Sequence, residues 1–195
     1  DLHPLDALLT EYLSVQEQHR DMPSVLVQIA HVQVGQGAFD RAEETLREAL
    51  RINPQFQAAR INLADLLRQS GREQDARTLL QEGISEDAMP GVLEHALGLL
   101  EIRTGHIERA LDYLKRAADS ETEGTRHRYV YAVALHDTGK PAEALALLER
   151  LNVERPGNPE LLYALVGFAR ELGDAAKVGR YQAQLQGVAQ AAGLR

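Results

Sequence analysis

The sequence predicts an all-α protein, an α-solenoid of stacked antiparallel helix pairs. Three observations predict this fold class: glycines recur with a 34-residue period, small residues recur in the same register, and apolar residues lie three and four positions apart. Each period holds one two-helix unit, and a single unit cannot bury its apolar faces alone, so neighbouring units stack. Nowhere does the 195-residue sequence show the alternating pattern that is typical of a β-strand.

The glycine series sets the register of the repeat. Its members, each one period after the last, are Gly37, Gly71, Gly105, Gly139 and Gly173. Glycine adopts a positive φ angle without a steric penalty, so we expect each of them to end a helix. Two series of small residues keep the same phase, and small side chains let two helices approach closely. They are Ala42, Ala76, Ala110, Ala144 and Val178, and Ala30, Ala64, Gly98, Ala132 and Val166.

Local signals predict where several helices begin and how the last one ends the stack. Asp40 and Glu43 have the spacing of a capping box, in which each side chain bonds to the backbone of the other residue. Pro141 suits the first turn of a helix, where its missing N–H group costs nothing. Polar side chains on the last helix predict a capped C-terminal end. These are Gln182, Gln184, Gln186 and Gln190.

The run Leu63-Ala64-x-x-Leu67, followed by Ala76-x-x-x-Leu80, together with the 34-residue period resembles the tetratricopeptide repeat (TPR) family. The resemblance implies a right-handed α-solenoid. It also implies that residues 1–22 form the second half of an incomplete repeat, with Leu8, Tyr12 and Val15 in phase. Five units are then expected at residues 23–56, 57–90, 91–124, 125–158 and 159–195, the last with a capping C-terminal helix. At the first large position, three units depart from the family pattern and are expected to be weaker. The residues there are Arg60, Glu94 and Arg128.

Two stretches, residues 61–66 and 129–139, look like TPR segments of large bacterial envelope proteins. In those proteins such arrays follow a multihaem c-type cytochrome region. The resemblance implies that haem attachment, if this chain shares that arrangement, lies upstream of Asp1, because the chain contains no cysteine. It favours the periplasm or cell envelope over the cytoplasm. The start at Asp1 rather than Met also suggests a piece of a longer protein.

Composition excludes several classes of function. The chain has 29 acidic and 21 basic residues, and its net charge of −8 argues against nucleic-acid binding, which requires a basic face. The absence of cysteine excludes disulfides, thiolate metal sites and cysteine nucleophiles. No apolar run is long enough to span a bilayer, so we expect no direct membrane insertion.

Catalytic and metal-binding patterns are missing from the sequence. None of the seven histidines forms a His-x-x-x-His pair, and a role in contact with solvent or the groove is expected for them. Gly35-Gln36-Gly37 lacks the preceding strand that a nucleotide-binding motif requires. No serine has the strand–turn–helix setting of a nucleophile elbow. We therefore predict a protein that is not an enzyme and needs no cofactor and no metal ion.

The TPR resemblance implies a partner-binding groove, because in that family the first helix of each unit lines a concave surface. Mapped onto this chain, the groove is rich in Arg, His and Tyr; Arg and Tyr are types that anchor protein interfaces. An alternative is that the same residues form only a solvated face. The groove residues are Gln28, His31, Asn62, Asp65, Arg68, Gln69, His95, Leu99, Arg103, Arg126, Tyr129, Val133, His136, Asp137, Tyr163 and Arg170.

Two functions are consistent with this sequence. The first is a non-catalytic scaffold that binds a protein or peptide segment in the groove, with acidic or carboxylate groups on that segment. The second is a structural spacer or self-association module without a peptide ligand. For the second, an incomplete repeat at the N-terminal end would expose apolar surface and favour a homodimer.

Overall fold

The computed structural model describes residues 22–87, 89–120 and 124–191, which form ten α-helices and no strand. The predicted all-α solenoid class, built from helix pairs, is confirmed. Of the half-repeat expected over residues 1–22, all but Met22 lies outside the described residues. The helices are α1 Pro23–Gly35, α2 Phe39–Ile52, α3 Gln57–Gln69, α4 Glu73–Glu86, α5 Gly91–Arg103, α6 Ile107–Asp119, α7 Gly124–Asp137, α8 Pro141–Glu154, α9 Pro159–Glu171 and α10 Ala175–Ala191. Over these described stretches, no helix combines the length and the apolar character needed to cross a bilayer.

The turn inside each helix pair is built around one of the five predicted glycines. All five have a positive φ angle, between 73° and 84°. In each turn the residue after the glycine donates its backbone N–H to the carbonyl five residues before it. The Arg72 N–H donates to the Leu67 carbonyl, and the Lys140 N–H to the Leu135 carbonyl, both at 2.8 Å. This pattern satisfies carbonyls that a helix end otherwise leaves without a partner.

Gly139→Ala tests the backbone requirement alone, because a Cβ atom at this glycine would meet nothing within 4 Å. We expect the substitution to lower the free energy of unfolding by about 1–2 kcal/mol, the cost of a left-handed backbone for an ordinary residue. Gly139→Asn should cost less, since Asn tolerates this conformation better. Chemical denaturation of wild type, Gly139→Asn and Gly139→Ala measures their free energies of unfolding, which should decrease in that order. Equal stability of wild type and Gly139→Ala would contradict the role assigned to this glycine.

The predicted capping box at Asp40 and Glu43 is wrong. Helix α2 begins at Phe39, its N-cap residue is Ala38, and no side chain caps it. The preceding glycine turn is short and fixes this start, so Asp40 already lies in the first turn. Glu43 instead accepts hydrogen bonds from Arg47 on the same helix, the nearer of them at 2.8 Å. The acidic side chain therefore stabilises the exposed face of α2 rather than its end.

Other helix starts agree with the sequence or add to it. Pro141 begins α8, as predicted from its missing N–H group. Asn158 caps α9 by accepting a hydrogen bond from the Leu161 N–H at 3.2 Å. Asp174 accepts one from the Lys177 N–H at the start of α10, at 2.9 Å. Side-chain oxygen atoms at these positions satisfy N–H groups that have no partner inside the helix.

The chain divides into two compact units, with the boundary between Leu100 and Glu101 inside α5. In the first unit α1 packs on α2 and on α3, and α3 packs on α2 and α4. Its fully buried large side chains come from all of the helices α1 to α5. They are Ile29, Leu46, Leu63, Leu67, Leu80, Leu93 and Leu97.

The second unit contains one apolar cluster that joins four successive helices, α7 to α10. Ala132 comes from α7, Leu148 from α8, Leu165 from α9 and Tyr181 from α10, and each of these is almost completely buried. Helix α8 packs on α7 and on α9, and α9 packs on α10. A core shared by neighbouring helix pairs is what repeated units require, since one pair buries too little apolar surface alone.

Arg60 replaces an apolar residue inside the first unit and is 6 % exposed. Its guanidinium donates to the carbonyls of Leu79 at 2.9 Å and Pro54 at 2.8 Å, and it lies 3.4 Å from a Glu86 carboxylate oxygen. The room for it comes from Gly83 on α4, where a Cβ atom would lie 2.6 Å from Arg60 Nε. The buried charge is thus hydrogen-bonded, as burial requires, and this departure is accommodated by the fold.

Candidate functional site

All sixteen residues predicted for the groove lie on α1, α3, α5, α7 or α9, the first helices of the pairs. None of them is buried; each is half-buried or exposed. We call the surfaces that these sixteen side chains form on their helices the first-helix faces. Because the boundary of the two units falls inside α5, each unit presents its own first-helix face, and each face is described separately.

The first-helix face of the first unit contains a pocket of about 220 Å³. Four predicted residues line it, one from α1 and three from α3. Apolar side chains from three helices form the rest of its wall. The lining residues are Ala30, His31, Val34, Leu46, Asn62, Asp65, Leu66 and Gln69. His31 and Asp65 occupy the same position in successive repeats, since they are one period apart in the sequence.

Local bonds hold the polar side chains of this pocket. The Asn62 amide donates to the Ala58 carbonyl one turn earlier, at 2.7 Å. Arg68 Nε lies 3.4 Å from Asp65 Oδ1, and the Asp65 side chain keeps 49 % of its surface exposed. The Asn62 carbonyl oxygen and the Asp65 carboxylate can therefore still accept hydrogen bonds from a ligand.

The pocket brings together only part of the predicted set in this unit. Gln28, Arg68, His95 and Leu99 lie on first helices but do not line it. The apolar lining, including Val34 and the buried Leu46, was not predicted as part of a site. Leu46 carried a signal in the sequence, since it belongs to an apolar series at 34-residue spacing, but that series indicates the core rather than a ligand surface.

The first-helix face of the second unit is organised around His136 on α7. Its ring stacks on Phe168 of α9, with the ring centroids 3.9 Å apart and the planes 5° from parallel. Its Nδ1 lies 3.0 Å from Asp137 Oδ1 and its Nε2 lies 2.6 Å from Glu171 Oε2, so the ring donates hydrogen bonds to both carboxylates when it is protonated. The hydrogen bond to Asp137, and then that to Glu171, raises the pKa of His136 above its ordinary value, although partial burial opposes the shift.

His136→Phe should remove a pH-dependent part of the stability. The raised pKa means that the charged ring stabilises the fold fully below its unfolded value of about 6.5, and that this contribution is lost as the pH rises through the folded value. We expect a stability difference of about 1 kcal/mol between wild type and variant near pH 5.5, shrinking towards pH 9. Urea denaturation at several pH values measures it. A difference that grows with pH would contradict the assignment.

Other predicted residues of this face are spread along α5, α7 and α9. Tyr129 is half-buried against the apolar cluster, and burial raises the pKa of its hydroxyl, with the nearby Glu160 adding to the effect. Tyr163 is 69 % exposed. Val133 is half-buried, whereas Arg103, Arg126 and Arg170 are exposed.

Sequence reasoning missed two residues that contact His136. Glu171 forms a hydrogen bond with its ring, and Phe168 stacks on it. Glu171 carried a signal, because it lies one full period after the predicted Asp137. Phe168 had no such signal, since the equivalent residue of the preceding unit is Ala134, which is buried. A contact between successive first helices therefore joins residues that lie about one full repeat apart in the sequence.

Successive helix pairs with polar first-helix faces define a helical repeat protein. Two family models described as Tetratricopeptide repeat match residues 14–92 and 95–159. The chain belongs to the tetratricopeptide repeat family. Repeats of this family are protein–protein interaction scaffolds, typically without catalytic activity, and bind protein or peptide partners. No curated protein sequence matches the chain.

Solved structures share the fold at low sequence identity. PilW, a type IV pilus biogenesis factor, has a TM-score of 0.71 at 19 % identity over 94 % of this chain and 85 % of its own. PilF of Pseudomonas aeruginosa has a TM-score of 0.67 at 17 % identity over 85 % of this chain and 76 % of its own. YrrB, a TPR protein with an unusual peptide-binding site, has a TM-score of 0.58 at 16 % identity over 91 % of both chains.

Proposed function

We propose that this chain is a non-catalytic scaffold that binds a peptide or protein segment along its first-helix faces. The observation that carries the proposal is the pocket between α1 and α3, whose walls combine buried apolar side chains with His31, Asn62, Asp65 and Gln69. An apolar wall with a few convergent polar groups is the usual composition of a recognition pocket.

The second unit supports the same function by a different surface. Tyr163 on α9 is largely exposed, and Arg126 and Arg170 form no ion pair among the described residues. Exposed Tyr and Arg side chains supply a large rigid contact area and directed hydrogen bonds, and they are frequent at the centre of interfaces. Their positive charge supports the expectation of acidic groups on the part of the partner that meets this unit.

Selection from a random-peptide display library tests the proposal with a defined probe. We expect the wild-type chain to enrich peptides, and Asn62→Trp, which places a large side chain at the pocket, to weaken their binding by at least about tenfold. Gln74→Trp is the matched control, because Gln74 is also an exposed amide but lies on the second helix α4. Its effect should stay below about twofold.

Two outcomes would contradict the proposal: an absence of enriched peptides, or equal effects of the two Trp variants. The first outcome would leave the structural spacer or self-association module as the better account. Light scattering across protein concentration would then distinguish that alternative, since self-association raises the apparent mass with concentration. A homodimer stays a prediction of the sequence until that measurement.

A further inference from the structure

We propose that the pocket between α1 and α3 takes a lysine or arginine side chain of the bound segment. This inference rests on the proposed function and adds the chemistry of the ligand to it. The methylene stem of the basic side chain would lie against Val34, Leu46 and Leu66, and its charged end would meet Asp65. His31, Asn62 and Gln69 supply further acceptor atoms at the same pocket.

The size of the pocket suits one side chain rather than a small-molecule ligand. Its volume of about 220 Å³ is below the range of about 300–1,000 Å³ that is usual for drug-sized ligands. The lining of the pocket has an apolar part and a polar part, and a lysine or arginine side chain matches both. Long basic side chains bury their methylene groups on apolar surface while the charged group stays near water. Asp65, whose side chain is about half-exposed, lies where such a charged group could keep contact with solvent.

Charge complementarity favours a basic ligand over an acidic one in this unit. Residues 1–100 contain 16 acidic and 8 basic side chains, whereas residues 101–195 contain 13 of each. The whole net charge of the chain therefore arises in its first hundred residues. Asp65 is the one carboxylate among the eight residues that line the pocket, and none of those eight is Lys or Arg. An acidic side chain would meet repulsion there, and a basic one attraction.

Replacing Arg68 by alanine distinguishes a basic ligand from an acidic one. Its Nε lies 3.4 Å from Asp65 Oδ1, so it partly neutralises the carboxylate without lining the pocket. If the ligand is basic, Arg68 competes with it, and Arg68→Ala should leave binding unchanged or tighten it. If the ligand is acidic, Arg68 is its attractive partner, and the same substitution should weaken binding.

The experiment uses peptides selected by the intact chain from the random-peptide library. We expect enrichment of Lys or Arg at one position of the selected peptides. Replacing that residue by Met, which keeps a long apolar stem, should weaken binding to wild type by about tenfold. The same replacement should have little effect on binding to Asp65→Asn, because the charge it paired with is gone. Glu82→Gln, an exposed carboxylate on α4, is the control that removes one charge from the same unit.

The possible results separate this inference from the proposed function. Loss of basic preference in Asp65→Asn but not in Glu82→Gln supports the inference. Peptides that bind the pocket with no Lys or Arg preference, or with a preference that survives Asp65→Asn, overturn it and leave the proposed function standing. Weaker binding to Arg68→Ala also overturns it, in favour of an acidic ligand. If the library yields no binder, the proposed function itself falls. Because the Lys→Met change is made in the peptide, the basic preference of the wild-type chain is measured without any protein variant, and a wild-type chain that binds both peptides equally overturns the inference.

Discussion

Gly83→Ala is expected to lower the free energy of unfolding by about 1–3 kcal/mol, although alanine is the better helix former. The added Cβ atom would lie 2.6 Å from Arg60 Nε and 2.9 Å from Leu93 Cδ1, and closer still to Arg60 Cδ. Arg60 cannot move aside freely, because its guanidinium donates to the carbonyls of Leu79 and Pro54. The substitution therefore strains either the packing or the buried hydrogen bonds.

A double-mutant cycle with Arg60→Leu isolates this cause. In the preceding repeat the positions of Arg60 and Gly83 are held by Leu26 and Ala49, both buried. We expect the double variant to be more stable than the sum of the single effects predicts, by about 1 kcal/mol or more. Gly179→Ala on α10 is the control, because a Cβ atom there meets nothing within 4 Å. Gly179→Ala should leave the free energy of unfolding unchanged or raise it slightly. Strictly additive effects of Arg60→Leu and Gly83→Ala would refute the steric explanation.

Leu148→Ala is expected to have the largest effect of any single change discussed, a loss of about 2–5 kcal/mol in the free energy of unfolding. Leu148 is 0 % exposed and belongs to the apolar cluster that α7, α8, α9 and α10 share. Removing its side chain deletes buried apolar surface and leaves a cavity between successive helix pairs. Chemical denaturation measures the loss.

Val153→Ala on the same helix is the matched control for Leu148→Ala. Val153 is 81 % exposed, so its truncation should change the free energy of unfolding by less than about 0.5 kcal/mol. Similar effects of the two substitutions would mean that the shared cluster does not hold the helix pairs together. Hydrogen exchange adds a spatial readout, because in a repeat protein the loss of protection should be greatest in α7 to α10.

The repeat was predictable because its main determinant is local. A glycine with positive φ ends a helix by its own backbone preference, and the five glycines at 34-residue spacing all do so. The predicted capping box failed for a related reason: the short turn after Gly37 starts α2 at Phe39, before Asp40 can cap it. The burial of Arg60 was not predictable, because it depends on the missing side chain at Gly83, on the other helix of the same pair.

The candidate site was predictable in its location more than in its chemistry. Helical periodicity places His31 and Asp65 on first helices, and the pocket does bring these two residues together. The apolar lining and the ring of Phe168 on His136 depend on packing between repeats, which periodicity does not specify. The extent of the groove, the acidic groups expected on the part of the partner that meets the second unit, and the resemblance to envelope proteins with multihaem cytochrome regions stay predictions.

Amide chemical-shift mapping with a selected peptide tests most directly whether the first-helix faces are the binding surface. We expect the largest shift changes in the first unit in α1 and α3, near His31, Asn62 and Asp65. Amides on the exposed faces of α2 and α4, such as those of Glu44 and Glu82, should change little. Shift changes concentrated on α2 and α4, with α1 and α3 unaffected, would contradict it.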